Sequence, residues 1–160
     1  MNLKIRLMKK TDLDNLSRMY VKVYTAFNVG ESWNSASAKK LLVDWLSRQP
    51  DLSFVAEVDG KLAGAFVAGI RPWWDGNHLV DGEVFVDPDC QKSGIGTELS
   101  KALYKKALKK YDVVAFDTYT FKKSKFPLSW YIKSQGFKVN EDWVMIAGNV
   151  KLALAKLQKK

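Results

Sequence analysis

The chain has 160 residues with 26 Lys and Arg against 17 Asp and Glu, a formal charge of +9, and 47% apolar and 12% aromatic content. That length holds one domain, residues 1–160, with a core of its own, and the apolar share excludes a disordered chain. The one cysteine, Cys90, excludes a disulfide framework and a multi-cysteine zinc site, and it suits a reducing, cytoplasmic setting.

The chain starts with a strand, Leu3 to Met8, whose Leu3, Ile5 and Leu7 alternate with Lys4 and Arg6. The start offers no uninterrupted apolar stretch of signal-peptide type, and no apolar run approaches the ~18 residues of a membrane-spanning helix. Thr11 or Asp12 caps a helix to about Phe27, with Leu13, Leu16, Tyr20, Val23, Tyr24 and Phe27 on one face. After a polar break, Ser35 or Ser37 starts a second helix that runs through Arg48 and ends at Pro50. Leu52–Val58 and Lys61–Ile70 read as strands joined at Asp59-Gly60, a hairpin signal. Residues 71–77, with Trp73-Trp74-Asp75-Gly76, read as a loop, and 79–86 as a further strand. A polar loop with two glycines follows, then an amphipathic helix from Thr97 to about Lys110. Val113–Phe121 reads as a strand, Pro127–Gln135 as a short helix, Phe137–Val139 and Trp143–Ala147 as a final strand pair, and Val150–Lys160 as a weak amphipathic helix. Strands mixed with helices and no repeat or linker predict one α/β (α+β) domain.

The segment Val84-Phe85-Val86-Asp87-Pro88-Asp89-Cys90-Gln91-Lys92-Ser93-Gly94-Ile95-Gly96-Thr97 carries the chemistry. A strand, a glycine-bearing turn and a helix start form an anion cradle, because the first amides of a helix have no partner within it and glycines let phosphate approach the backbone. Two phosphate motifs fail here. The dinucleotide fingerprint needs a third glycine where Leu99 stands, and a Walker A loop needs a Gly-Lys-Ser/Thr that is absent. What fits is apolar-x-Val-x-Pro-x-x-Gln-x-x-Gly-x-Gly, which resembles the acetyl-CoA-binding motif of the GNAT superfamily of N-acetyltransferases. The order of elements from Leu3 to Ala147 is similar to that family as well.

The resemblance implies a mixed, mostly antiparallel sheet of about six to seven strands flanked by about four helices. It implies acetyl-CoA as cosubstrate and no metal. The pyrophosphate would rest on backbone of the cradle, carried over to Gln91, Lys92, Ser93, Gly94, Ile95, Gly96 and Thr97. The pantetheine arm would lie along Val84, Phe85 and Val86, where that strand splays from the next. The partners implied are acetyl-CoA and an amine acceptor, with no membrane and a homodimer left open.

Direct acetyl transfer needs a base for the ammonium and an acid for the leaving thiolate. Glu83 is the leading base candidate, with Asp81 two residues earlier in the same strand. In a regular strand the two share a face with Phe85, and a β-bulge would bring Glu83 into the family's usual phase. The family's thiolate-protonating tyrosine carries over to Tyr131 of Tyr131-Ile132-Lys133-Ser134-Gln135-Gly136-Phe137. This run has one residue more between Tyr and Gly than the family pattern, and Ser124 stands nearest the family's upstream asparagine. Asp117, a carboxylate between apolar strand residues, suits a cationic acceptor or solvent equally. Trp33 and Trp74 lie in expected loops where an acceptor pocket is built, and indole faces can hold cations. Trp73 lies in the same expected loop as Trp74, and a place at the core edge suits all three indoles equally; Tyr20 and Tyr24 read as core, and His78 carries no assigned role.

The leading expectation is an acetyl-CoA-dependent N-acetyltransferase for a small primary amine, aminoglycoside- or polyamine-like. A protein N-terminus or lysine is the alternative acceptor. The charge of +9 motivates a competing non-catalytic class, a CoA-binding or nucleic-acid-binding module. Nucleic acid is disfavoured, since the lysines gather on one helix and the tail (Lys156, Lys159, Lys160) without a recognition motif.

Overall fold

A computed structural model describes residues 2–28, 30–122 and 125–158. Ser124, Lys159 and Lys160 lie outside the described residues. The chain divides into two compact units, Met1–Tyr119 and Thr120–Lys160, each described by itself.

The first unit runs β1 (Leu3–Leu7), α1 (Leu13–Phe27), α2 (Ser35–Arg48), β2 (Ser53–Val58), β3 (Lys61–Trp73), β4 (Gly76–Val86), α3 (Ile95–Tyr111) and β5 (Val113–Asp117). Its sheet has the order β1-β2-β3-β4-β5, with antiparallel neighbours except for parallel β4 and β5. A parallel pair needs a long crossover, and α3 supplies it. Helices cover both faces. On one side Leu16, Tyr20, Leu42 and Trp45 of α1 and α2 pack on Val55, Ala65, Val67 and Phe85. On the other, Ile95, Leu99, Leu103 and Ala107 of α3 pack on Ala56, Ala63, Phe66 and Leu79.

Local chemistry explains the element ends. Asp12 stands at the expected cap of α1, but its carboxylate takes Arg6 at 2.7 and 2.9 Å and the Lys9 amide at 2.7 Å instead of a helix amide. α2 is capped by Asn34, one residue before Ser35, whose side chain accepts from the Ser37 amide at 2.9 Å. The Asp59-Gly60 turn has φ of 49° and 80°, the left-handed pair of a tight two-residue hairpin.

Residues 71–77 are not a loop. The β3–β4 ladder continues through Arg71↔His78 and Pro72↔Asn77 to Trp73↔Gly76, leaving Trp74 and Asp75 as the turn. Aromatic residues suit a pleated ladder, and Gly76, at φ 144°, absorbs the turn geometry.

The second unit holds α4 (Lys125–Gln135) and α5 (Val150–Leu157). Phe126 is non-helical, so regular helix geometry starts at Pro127 as the sequence predicts. The expected strand pair Phe137–Val139 and Trp143–Ala147 does not form, so the sheet among the described residues has five strands instead of about six to seven; the α-helices among them are the five read in chain order, one more than the about four that the resemblance implies. Extended backbone becomes a strand only when a neighbour supplies the ladder. Here Trp143 and Ile146 stay exposed at 69% and 87%. Among the described residues no helix is long and apolar enough to cross a membrane.

Candidate active site

The cradle forms where β4 hands over to α3. After Val86 the chain makes a short 3-10 turn, Pro88–Cys90, steadied by Asp87, whose carboxylate accepts the Asp89 amide at 3.0 Å. Lys22 of α1 bonds Asp87 at 2.8 Å and Asp89 at 2.7 Å, tying the turn to the opposite layer. Gln91 donates through Nε2 to the Val86 carbonyl at 3.1 Å, and the Ser93 hydroxyl donates to the Cys90 carbonyl. These bonds close the loop on itself.

α3 begins at Ile95, two residues earlier than the sequence predicts, because Gly94 takes the cap position in the left-handed region at φ 85°. Lys92 is left-handed as well, at φ 61°. The first bond of the helix runs from the Glu98 amide to the Gly94 carbonyl at 3.1 Å. The amides of Ile95, Gly96 and Thr97 therefore head the helix and carry its positive dipole end. A Cβ added at Gly94 would meet nothing within 4 Å, so the backbone there faces open space.

The strand before the cradle is split from its neighbour. β4 pairs with β5 only over Asn77–Val80, whereas its ladder to β3 continues to Val86. Along Val84, Phe85 and Val86 the β5 side of the strand has no register partner among the described residues. Val84 and Val86 pack with the α3 layer and Phe85 with the α1 layer.

The expected β-bulge lies at the point of divergence. Asp81 and Gly82 oppose the single residue Ala68, with Asp81 in the left-handed region at φ 51°. A Cβ at Gly82 would come within 2.8 Å of Phe116 and 2.9 Å of Phe66, so any side chain there forces those rings to shift. The bulge breaks the regular alternation, so Asp81 does not share a face with Glu83. Asp81 is exposed, while Glu83 turns inward to α1.

Glu83 Oε2 accepts from the Tyr24 hydroxyl at 2.7 Å and from Tyr20 at 3.3 Å. Burial pushes this carboxyl above the ordinary glutamate range, against the two phenol hydrogen bonds, and the charges of Glu31 and Asp81 add to the rise. Burial and the neighbouring Glu83 charge drive both phenols upward, so they stay protonated donors. Around them is an aromatic wall: Tyr20 stacks on Tyr24 at 4.3 Å, and Trp33 meets Tyr20 edge-on at 5.1 Å. The Trp33 indole donates to Glu31 at 2.7 Å. Glu83 and Trp33 thus come together. Tyr20, Tyr24 and Glu31 were not singled out from sequence for this role; the i, i+4 tyrosine pair was the available signal.

Asp117 ends β5 beside Val80 and binds His78 and Arg71, a second polar group of the same unit. Trp74 projects from the hairpin turn at 86% exposure. Tyr131 belongs to the second unit, where it is buried, with the rings of Trp130 at 5.1 Å and Phe137 at 5.2 Å, and its carbonyl accepts the Phe137 amide at 3.1 Å.

A strand opened from its neighbour beside a glycine-capped helix start is what the acetyl-CoA motif requires, and the family model for the Acetyltransferase (GNAT) family matches residues 13–137. The chain belongs to the GNAT family of acetyltransferases. An uncharacterized N-acetyltransferase of Archaeoglobus fulgidus is 32% identical over 117 residues, 71% of this chain and 79% of that protein. One from Methanocaldococcus jannaschii is 35% identical over 99 residues, 59% of this chain, and the chain spans only 43% of that relative's length. Among solved structures, a predicted acetyltransferase of Clostridium acetobutylicum with acetyl-CoA overlays with a TM-score of 0.68 at 14% identity, covering 91% of this chain and 96% of that one. That overlay demonstrates the fold.

The residues present fit the GNAT family's cosubstrate, acetyl-CoA. The open space at Gly94, the helix-heading amides of Ile95, Gly96 and Thr97, and the β4 edge without a β5 partner suit a pyrophosphate and an amide-bearing arm. Lys92, exposed two residues before Gly94, can add positive charge.

Proposed function

We propose that this chain transfers the acetyl group of acetyl-CoA to a primary amine by direct attack, the acceptor being a small amine of polyamine or aminoglycoside type. The observation that carries this reading is Glu83: an inward-facing carboxylate with raised basicity, beside the β4–β5 divergence and four residues upstream of the cradle loop. Acetyl-CoA supplies an activated thioester when bound. Glu83 takes the proton of the ammonium, directly or through a water, while Tyr20 and Tyr24 orient its carboxylate. The amine nitrogen forms the new bond to the acyl carbon, the carbon–sulfur bond breaks, Tyr131 gives its proton to the thiolate, and the second nitrogen-bound proton, lost as the amide forms, restores the tyrosine through solvent.

Gln91, Lys92, Ser93, Gly94, Ile95, Gly96 and Thr97 hold the phosphates in this reading, and Val84, Phe85 and Val86 line the arm. In this reading Asp81, Asp117, Trp33 and Trp74 surround a cationic acceptor; the exposed Asp81 is the carboxylate that supports it, since Asp117 already pairs with Arg71 and His78. The family match crosses the boundary between the two units, which supports a single acetyltransferase domain over residues 1–160. The setting proposed is the cytoplasm.

The test is CoA thiol release on a panel of spermidine, kanamycin and a lysine-containing peptide. Acetylation of spermidine or kanamycin with little on the peptide is expected. Preference for the peptide moves the acceptor to a protein lysine or N-terminus. No thiol release from any amine, together with acetyl-CoA binding, leaves a non-catalytic CoA-binding module. Salt-sensitive DNA binding without acetyl-CoA binding points to a nucleic-acid module.

A further inference from the structure

His78 is the only histidine of the chain. Its side chain is 7% exposed and both ring nitrogens face carboxylates: Nδ1 lies 2.7 Å from Asp117 Oδ2 and Nε2 lies 2.9 Å from Asp75 Oδ1. The group spans three strands and a turn. His78 is in β4, Asp75 in the β3–β4 turn, Asp117 at the end of β5, and Arg71 of β3 donates to the same Asp117 oxygen at 2.9 Å. The Arg71 guanidinium lies 4.6 Å from the Trp73 ring centre, and that neutral ring is 6.4 Å from the imidazole.

A neutral imidazole has one donor and one acceptor, whereas an ionised carboxylate only accepts. Two carboxylates on two nitrogens are satisfied together only when both nitrogens carry a proton. The alternative, a proton on one carboxyl, is disfavoured because histidine is ordinarily the more basic by about 2.6 units. With Arg71 the four side chains then balance two positive against two negative charges.

We propose that His78, as an imidazolium, is a positioning residue that pins the β3–β4 turn and Asp117 to one another at the point where β4 and β5 part. The consequence for catalysis rests on the reading that Asp117 lines the amine side of the site. The pin itself does not. Val80, the last β4 residue paired with β5, is opposite Asp117, so fixing Asp117 fixes the hinge of the split. Loss of the ring proton places a lone pair against a carboxylate oxygen, and one contact must open. Arg71 still holds Asp117, so the contact released is Asp75, whose side chain is 37% exposed on a two-residue turn, and Trp74 moves with it.

The charged groups facing the ring are Asp117, Asp75 and, through Asp117, Arg71. The Asp117 bond and then Asp75 raise the His78 pKa against the opposing effect of burial. A raised histidine contributes its stability below the ordinary value and loses it as pH rises through the folded value, so the pin opens on the alkaline side.

A single histidine gives a single set of ring signals, so ring nitrogen-15 and carbon-13 NMR across pH tests this on the unaltered chain. Both nitrogens are expected protonated at pH 7, with a midpoint above the ordinary ~6.5. Asp75→Asn and Asp117→Asn should each lower that midpoint. Amide exchange at Trp74 and Asp75 should speed up above it. An unprotonated ring nitrogen at pH 7, a midpoint at or below the ordinary value, or a midpoint unmoved by both variants overturns the proposal. None of these readouts needs acetyl-CoA or turnover, so failure of the acetyl-transfer reading is distinguished from failure of the pin.

Discussion

Glu83→Gln separates what the carboxylate does for the fold from what it does for chemistry. Both phenol hydroxyls donate to the same oxygen, Oε2, at 2.7 and 3.3 Å. A glutamine carbonyl oxygen in that place accepts both bonds, so the Tyr20–Tyr24 arrangement is kept and only the basic function is lost. Removing a positioned general base costs roughly 10²–10⁴ in rate, or about 3–5 kcal/mol of transition-state stabilisation. Stability should move the other way. A glutamate whose folded pKa is raised destabilises the fold as pH rises through that value, so the uncharged variant at pH 7–8 should melt no lower than the parent. The parent's kcat/KM should fall on the acid side at a pH above the ordinary glutamate range, and the variant should lose that limb. The assays are CoA thiol release across pH 5–9 on the best amine of the panel and a thermal melt of both proteins. A variant within about threefold of the parent, with the acid limb unmoved, refutes the assignment of Glu83 as base.

Three further substitutions probe the scaffold and the cradle. Gly94→Ala places a side chain at φ 85° where the cradle is open, so it should cost about 1 kcal/mol in stability and weaken acetyl-CoA binding, read by melting and calorimetry. Gly82→Ala drives a methyl to 2.8 and 2.9 Å from Phe116 and Phe66, an overpacking worth about 1–3 kcal/mol in denaturant unfolding. Asp51 is held at about 2, as bonds from Lys110, Gln49 and Tyr111 outweigh the opposing effect of burial. That shift corresponds to ~2.4 kcal/mol at full strength, but Lys110 is half exposed, and screening lowers it to about 1 kcal/mol. A depressed carboxylate stabilises above its unfolded pKa, so Asp51→Asn should lose this at pH 7 and match the parent near pH 2.

The cradle was legible because its signals are local. A strand, Pro88, two glycines and an amphipathic helix follow one another within a few turns of chain, and only the helix start moved, since Gly94 serves as a left-handed cap. The bulge was foreseeable from Glu83's phase, and Gly82 has the physical reason for its position in the rings of Phe66 and Phe116. The contacts that define Glu83 were not legible. Tyr24 and Glu83 are 59 residues apart, and helical periodicity explains a buried tyrosine without revealing what its hydroxyl meets. The partners of His78 are hidden from the sequence for the same reason, since Asp117 reaches it from another strand 39 residues away. Trp143 to Ile146 have strand composition, but composition cannot supply the neighbouring ladder that a strand requires.

The central claim is that the β4–α3 cradle holds acetyl-CoA. Calorimetric titration of the whole chain with acetyl-CoA, paired with a thermal melt, tests it most directly. Saturable binding of one equivalent is expected, with stabilisation that grows logarithmically with ligand to about 2.7 kcal/mol at a hundred times Kd, and with both effects weakened in Gly94→Ala. No heat and no melting shift at millimolar acetyl-CoA, or binding that Gly94→Ala leaves unchanged, would contradict the account.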